Sequence, residues 1–198
     1  GFPFTLNSAV DALLKKEFDI HRAKNKAHPL MKAYKIDAIP FAHTDLDKWR
    51  ANFTGVQYLH EPTNFLIFGA VDDIWLNKKG ELIVVDYKAT STNKEITLDE
   101  EYRQSYKRQM EIYQWLLRRN GFKVNNTGYF VYCNGRKDKK AFDGKLEFNI
   151  DVLPYKGNDK WVEDAIIRAH KCLRSKIIPK ASQDCEYCQY IAKAQKVK

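Results

Sequence analysis

Two aspartates and a lysine, Asp72, Asp86 and Lys88, stand where a β-hairpin would bring them together. Asp72 ends an apolar run and Asp86 follows Ile83-Val84-Val85, with Asn77-Lys78-Lys79-Gly80 between them. A three-residue loop, Lys78-Lys79-Gly80, suits a type I turn closed by glycine in the left-handed region. That loop pairs Asn77 with Glu81, and the same register sets Asp72 opposite Asp86. Side chains alternate along a strand, so Lys88 shares their face while Asp73 and Tyr87 take the other. Directly opposed carboxylates lie about 5 Å apart and repel. A hard divalent cation, Mg2+ or Mn2+, is the simplest reason to keep them there. With an ammonium beside them, the triplet reads as metal-assisted hydrolysis of a phosphodiester. The alternative is a solvated hairpin whose acids are neutralised by neighbours. The buried character of Ile83-Val84-Val85 argues against it, although a two- or four-residue loop would turn Asp72 to the wrong face.

A second group follows on a helix. Tyr102, Tyr106, Gln109 and Tyr113 are spaced to fall on one stripe. Arg103, Lys107 and Arg108 flank that stripe. Phenols, an amide and guanidinium groups in a row can hold phosphates and stack on bases. A core-facing aromatic stripe is the competing reading, and Gln109 at its centre argues against a dry core. Charge points the same way. The 34 Lys and Arg exceed the 25 Asp and Glu, giving +9. Ten of those cations and only two acids fall in residues 103–140. A concentrated basic region is the footprint of a nucleic-acid binder, and a solvated helix face with a lysine-rich turn is the alternative.

The elements that must position these residues follow from pattern. Residues 5–24 have helical apolar spacing, residues 27–64 read as irregular around Pro29, Pro40 and Pro62, and a short helix fits 44–52. Strands are expected at 65–76 and 81–88, a helix at 98–119, strands at 127–134 and 145–152, and an amphipathic helix at 159–175. The fold class is therefore α/β (or α+β), with a mixed sheet flanked by helices. The 198 residues are expected to form a single domain: an N-terminal helical and irregular part to residue 64, a catalytic core over 65–155, and a C-terminal helix and tail from 156. Aromatic residues total 26, too many for a disordered chain. No apolar run is long enough to span a bilayer, so no membrane partner is expected. No basic-then-apolar leader is visible, and a cytoplasmic, reducing location follows as the expectation.

Three runs in order, Gly69-Ala70-Val71-Asp72, then Ile83-Val84-Val85-Asp86-Tyr87-Lys88-Ala89-Thr90, then Gln109-Met110-Glu111-Ile112-Tyr113, resemble the PD-(D/E)XK nuclease superfamily. They are most similar to its RecB-like exonucleases and the related CRISPR-associated exonucleases. The resemblance covers roughly residues 65–115 and implies a restriction-endonuclease-like core and a metal-dependent deoxyribonuclease. It implies that Asp72, Asp86 and the backbone carbonyl of Tyr87 bind the metal and that Lys88 acts on the attacking water. Gln109 and Tyr113 would position the DNA backbone or the lysine. The family also uses an upstream His or Glu, for which His43 is the first candidate and Glu17 and His60 are lesser ones. Iron–sulfur members carry a C-terminal C-x2-C-x5-C. Here Cys185 and Cys188 are present, Ala194 takes the third position, and the first helix has no cysteine, so no iron–sulfur cluster is expected. Cys133 and Cys172 read as core residues. A zinc ion or cluster completed by Cys172 and one other ligand is the alternative. Two rival functions share the fold: a DNA-binding module that no longer cuts, and an interaction subunit of a repair or defence complex that uses Trp49, Trp161 and the C-terminal helix.

Overall fold

The computed structural model describes residues 5–100 and 103–197, in two compact units, Gly1–Val162 and Glu163–Lys198. The first unit is built on a five-stranded mixed sheet. Its strands are β1 (Ala38–Pro40), β4 (Asp73–Asn77), β5 (Leu82–Thr90), β6 (Thr127–Gly135) and β7 (Phe148–Lys156), in the order β1-β4-β5-β6-β7. A separate two-stranded sheet pairs β2 (Val56–His60) with β3 (Phe65–Gly69). Neighbours in the large sheet run antiparallel except β5 and β6, which are parallel. This is the restriction-endonuclease-like arrangement that the resemblance implied.

β5 lies at the centre of the sheet and is covered on both faces. That explains why Leu82-Ile83-Val84-Val85 is apolar without alternation. On one face Ile83, Val85 and Tyr87 join Leu14 and Phe18 of helix α1 (Thr5–Ala23), with Met31, Trp75 and Val131, in the main core. On the other face lies helix α4 (Gln104–Arg119), which buries Met110, Leu116 and Leu117. Met110 packs so close to Gly128 of β6 that a Cβ there would overlap its sulfur.

The expected hairpin register holds. Asp73 pairs with Val85, Ile74 with Val84 and Leu76 with Leu82, and Asn77 N–H donates to Glu81 O at 3.1 Å. Gly80 has φ +70°, the left-handed closing position that the turn required.

Several expectations are corrected. The single strand expected at 65–76 is two strands in two different sheets, β3 and β4, separated by residues 70–72. An uninterrupted apolar run reports burial and says nothing of a change of sheet. The short helix expected at 44–52 is helix α3 (Leu46–Arg50), but the rest of 27–64, read as irregular, contains helix α2 (Pro29–Ala33), β1 and β2. These elements are too short for periodicity to reveal. α4 begins at Gln104, and β7 begins at Phe148 and runs on through Pro154, which an edge strand tolerates. Trp49 is buried against His43 and Trp161 donates to Glu111, so neither offers the exposed interface expected of it.

The second unit holds most of helix α5 (Lys160–Arg174), helix α6 (Glu186–Ala194) and a short 3-10 turn at 195–197. Cys172 is exposed rather than core, because every residue of the last turn of α5 is exposed. Cys133, in β6, is buried as expected. Among the described residues, no helix is long and apolar enough to cross a membrane.

Candidate active site

The hairpin, the N-terminal half of α1 and α4 enclose a cleft of about 660 Å³. Asp72, Asp86, Tyr87, Lys88, Tyr106, Gln109 and Tyr113 all line it, joined by Asn7, Ser8 and Asp11 from α1 and by Asn52. The expected triplet and three members of the helix stripe therefore meet in one place.

Asp72 leaves β4 just before its first paired residue, and its Oδ2 accepts from Tyr87 N–H at 2.9 Å. Its backbone carbonyl accepts from Arg50 Nε at 3.1 Å, and Val71 N–H donates to Trp49 O at 3.0 Å. The break between the two sheets is thus tied down at the acid. Asp86 is 2% exposed, and its Oδ2 meets the Lys88 ammonium. That oxygen has no hydrogen bond of ordinary geometry among the described residues. Lys88 Nζ also sits over the Tyr106 ring, 4.6 Å from its centre. Burial, only partly offset by Lys88 and reinforced by Asp72, pushes the Asp86 carboxyl up to about 7. Burial raises Asp72 as well, against the attraction of Lys15.

Gln109 Nε2 donates to Tyr113 Oη at 2.7 Å. Burial holds the Tyr113 phenol well above its usual range. Gly69 lets this ring approach, since a Cβ there would lie 2.6 Å from Tyr113 Cε1.

The opposite face of the hairpin holds a buried ionic cluster that the sequence did not reveal. Asp73 is fully buried and is held by Arg22, by Arg50 at 2.9 Å, by its neighbour Ile74 N–H at 2.8 Å and by the Tyr87 hydroxyl at 2.8 Å. Arg22 and Arg50 both also pair with Asp19. Arg50 therefore reaches Asp73 with one nitrogen and the Asp72 carbonyl with another, linking the two faces.

The upstream candidates do not reach the cleft. His43 stacks on Trp49 with ring centres 4.3 Å apart, and its Nδ1 accepts from Asp45 N–H at 3.1 Å. Its imidazole is occupied as part of an aromatic cluster with Phe122. Glu17 pairs with His28 at 2.8 Å, and His60 is buried against Thr63 at 2.7 Å. The α1 groups that do arrive are Asp11 and Lys15. Lys15 Nζ lies 2.8 Å from Asp11 Oδ2 and 3.5 Å from Asp72 Oδ1. Helical periodicity marks the apolar face of α1 but does not say which polar residue will border a distant hairpin. Of the expected DNA-contacting residues, Arg103 is buried against the Tyr132 ring. Lys107 lies near the Tyr155 ring and Arg108 is exposed. Tyr102 lies outside the described residues.

Every acidic or main-chain donor in the cleft is a hard oxygen, and the Asp86 carboxylate is buried there with the Lys88 ammonium beside it. This donor chemistry fits a hard divalent cation. Among the described residues, no three His, Cys, Asp or Glu side chains are grouped as a ligand set. The fit is therefore to an ion that keeps several waters and takes one or two carboxylates, as Mg2+ does. Asp72, Asp86 and the Tyr87 carbonyl are the groups that would hold it.

A family model described as the PD-(D/E)XK nuclease superfamily matches residues 5–192. No curated protein matches the chain.

Proposed function

We propose, from the premise that the chain belongs to the PD-(D/E)XK nuclease superfamily, that it is a metal-dependent deoxyribonuclease, an exonuclease of the RecB-like or CRISPR-associated-exonuclease-like branch. The observation that carries this reading is the convergence of Asp72, Asp86 and Lys88 with Gln109 and Tyr113 in one cleft. The family match runs across both compact units, which supports one nuclease domain over residues 1–198 with its catalytic core at 65–155.

The roles follow from the contacts. Asp72 and Asp86, with the Tyr87 carbonyl, would hold Mg2+ or Mn2+. When bound, such an ion supplies charge stabilisation at the phosphate and acidifies water. Lys88 places an ammonium in the cleft, fixed by Asp86 and the Tyr106 ring, where it orients a water and meets charge building on a phosphate. Tyr113 accepts from Gln109, which leaves its own hydroxyl proton to donate to a phosphate oxygen. Lys15 spans Asp11 and Asp72, so it sets the position of the less buried acid. The exposed basic residues of 103–140, Arg108 among them, supply phosphate attraction that weakens as salt rises. A cytoplasmic role in a DNA repair or defence complex completes the reading.

The test is cleavage of end-labelled single- and double-stranded DNA with Mg2+, Mn2+ or EDTA, for the unmutated protein, Asp86→Ala and Lys88→Ala. The expected outcome is metal-dependent cleavage, lost by about a hundredfold or more in both variants with DNA binding retained. Lys88→Ala cleaving at the unmutated rate would refute the assignment. Binding without cleavage under any metal would replace it with the non-cutting module.

A further inference from the structure

β5 runs on past the catalytic cleft. Ala89 lines that cleft, and three residues later Thr92 lines a second one, of about 360 Å³, at the C-terminal ends of the parallel strands β5 and β6. The space beyond the carboxyl ends of parallel strands is a common place for a ligand. Two segments wall it: residues 92–95, which leave β5, and residues 134–138, where β6 ends. Side chains fix these walls. Asn134 Oδ1 accepts from Thr92 N–H at 2.9 Å and its Nδ2 donates to Thr92 O at 3.0 Å, so one amide copies both bonds of a strand neighbour. Ser91 Oγ donates to Gly135 O at 2.9 Å, and Thr92 Oγ1 accepts from Lys94 N–H at 3.0 Å.

The chemistry of the lining narrows the ligand. Every lining residue except Gly135 is polar, so an apolar ligand has nothing to rest on. Arg136 and Asp138 satisfy each other, through bonds of 3.1 and 2.8 Å. The ion pairs at this end of the sheet run from Arg136 to Asp138 and Glu147 and from Lys139 to Glu147, and they leave out Lys94 and Lys137. Lys94 stands on one wall and Lys137 on the other, both exposed, with Glu95 as the one opposing charge left in the lining. Two ammonium groups, with the side-chain amides of Asn93 and Asn149 beside them, suit an anion that offers several acceptor oxygens.

We propose that this second cleft is a phosphate-backbone anchor, in which Lys94 and Lys137 hold the DNA a few nucleotides from the phosphate being cut. The proposal rests on the nuclease reading for the identity of the anion, and on the cleft and its two lysines for the place. Continuity supports it. Three residues of extended β5 cover about 10 Å, comparable to about three steps of 3.4 Å along a nucleic-acid strand. Lysine meets a phosphate as a point charge and reads no base, so the anchor is indifferent to sequence. A contact this far from the reacting phosphate is the same before and during the reaction, so it contributes to binding and not to the chemical step.

The test is fluorescence anisotropy in EDTA over a range of salt, on an oligodeoxynucleotide of about 20 nucleotides, single-stranded and as a duplex. The proteins are the unmutated chain, Lys94→Ala, Lys137→Ala, Lys94→Arg and, as a control in the turn at the other end of β5, Lys79→Ala. Lys94→Ala and Lys137→Ala should each weaken binding about threefold to tenfold and flatten the slope of log affinity against log salt by about 0.7–0.9. Lys94→Arg and Lys79→Ala should stay within about twofold of the unmutated protein. Unchanged binding in both alanine variants, an equal loss in Lys79→Ala, or no measurable DNA binding by the unmutated protein would overturn the proposal. Cleavage is scored separately. In a protein that cuts, Lys94→Ala should raise KM and leave kcat unchanged, and a fall in kcat at constant KM would overturn the anchor as well. A protein that binds DNA through Lys94 and Lys137 yet never cuts removes the nuclease reading and leaves the second cleft. A protein that cuts with binding indifferent to both lysines does the reverse.

Discussion

Asp86→Asn should make the metal-free protein more stable. The Asp86 carboxyl is carried from an ordinary 3.8 up to about 7, chiefly because its ionised form is buried. The attraction of Lys88 is already within that balance, so burial and Asp72 outweigh it. The ionised form then costs the folded state about 4 kcal/mol relative to the neutral one. The sign follows from linkage. Unfolded Asp86 releases its proton near pH 4 and folded Asp86 near pH 7, so the unmutated protein loses stability between about pH 4 and pH 7 and levels off above. Asparagine keeps the shape and removes the charge. The amide NH2 in place of a carboxyl oxygen takes back part of the gain, leaving about 2–4 kcal/mol, or roughly 5–15 °C in Tm for a chain of this size. Calorimetry in EDTA from about pH 4 to pH 8 measures it. The two proteins should coincide at the acid end and diverge toward neutrality. Saturating Mg2+ or Mn2+ should then raise Tm for the unmutated protein alone, because only it retains both carboxylates. A variant less stable than the parent in EDTA at about pH 8, or one with the parent's pH dependence, would refute the reasoning.

Arg50→Met should destabilise the protein by about 3–5 kcal/mol in urea denaturation, because it leaves fully buried Asp73 with one guanidinium instead of two and removes the donor to the Asp72 carbonyl. A loss below about 1 kcal/mol would mean that the cluster tolerates an unpaired charge. Gly55→Ala should cost at least about 2 kcal/mol, from the left-handed backbone and the contact with Gly69 together, and an unchanged urea midpoint would contradict that close approach.

The hairpin was legible because its signals were local. A turn with glycine at its closing position fixes register, and register alone decides which side chains share a face; so Asp72, Asp86 and Lys88 were placed correctly. Gln109 and Tyr113 were legible through helical spacing and through their order after the D-x-K strand. What failed was non-local. Gly69-Ala70 looks like the interior of one strand, yet the chain changes sheet there, because Gly69 must clear Tyr113 and Gly55. His43 stands ahead of a short helix as the family pattern suggests, but Trp49 and Phe122 claim its ring. Asp11 and Lys15 were invisible because their partner lies on an element far along the chain. Arg103 looked like a surface cation, and only the packing of Tyr132 shows it buried.

The consecutive aspartates at the start of β4, Asp72 just before it and Asp73 its first residue, pose a problem of identity that the hairpin does not solve alone. Slipping β4 by one residue would exchange Asp72 and Asp73, placing an acid of the same chemistry in the cleft and another in the core. The turn sets the register, and Tyr87 then tells the two apart, its N–H donating to Asp72 and its hydroxyl to Asp73. The distinction is reinforced from outside, by Arg22 on α1 and Arg50 on α3, which pair with the carboxylate only of the aspartate that points inward. These arginines act as a registration pin. They carry no chemistry in the cleft, yet they hold in place the register by which one of two identical side chains is delivered to it. Strand slippage, more than loss of a contact, is therefore the failure to look for when either arginine is replaced.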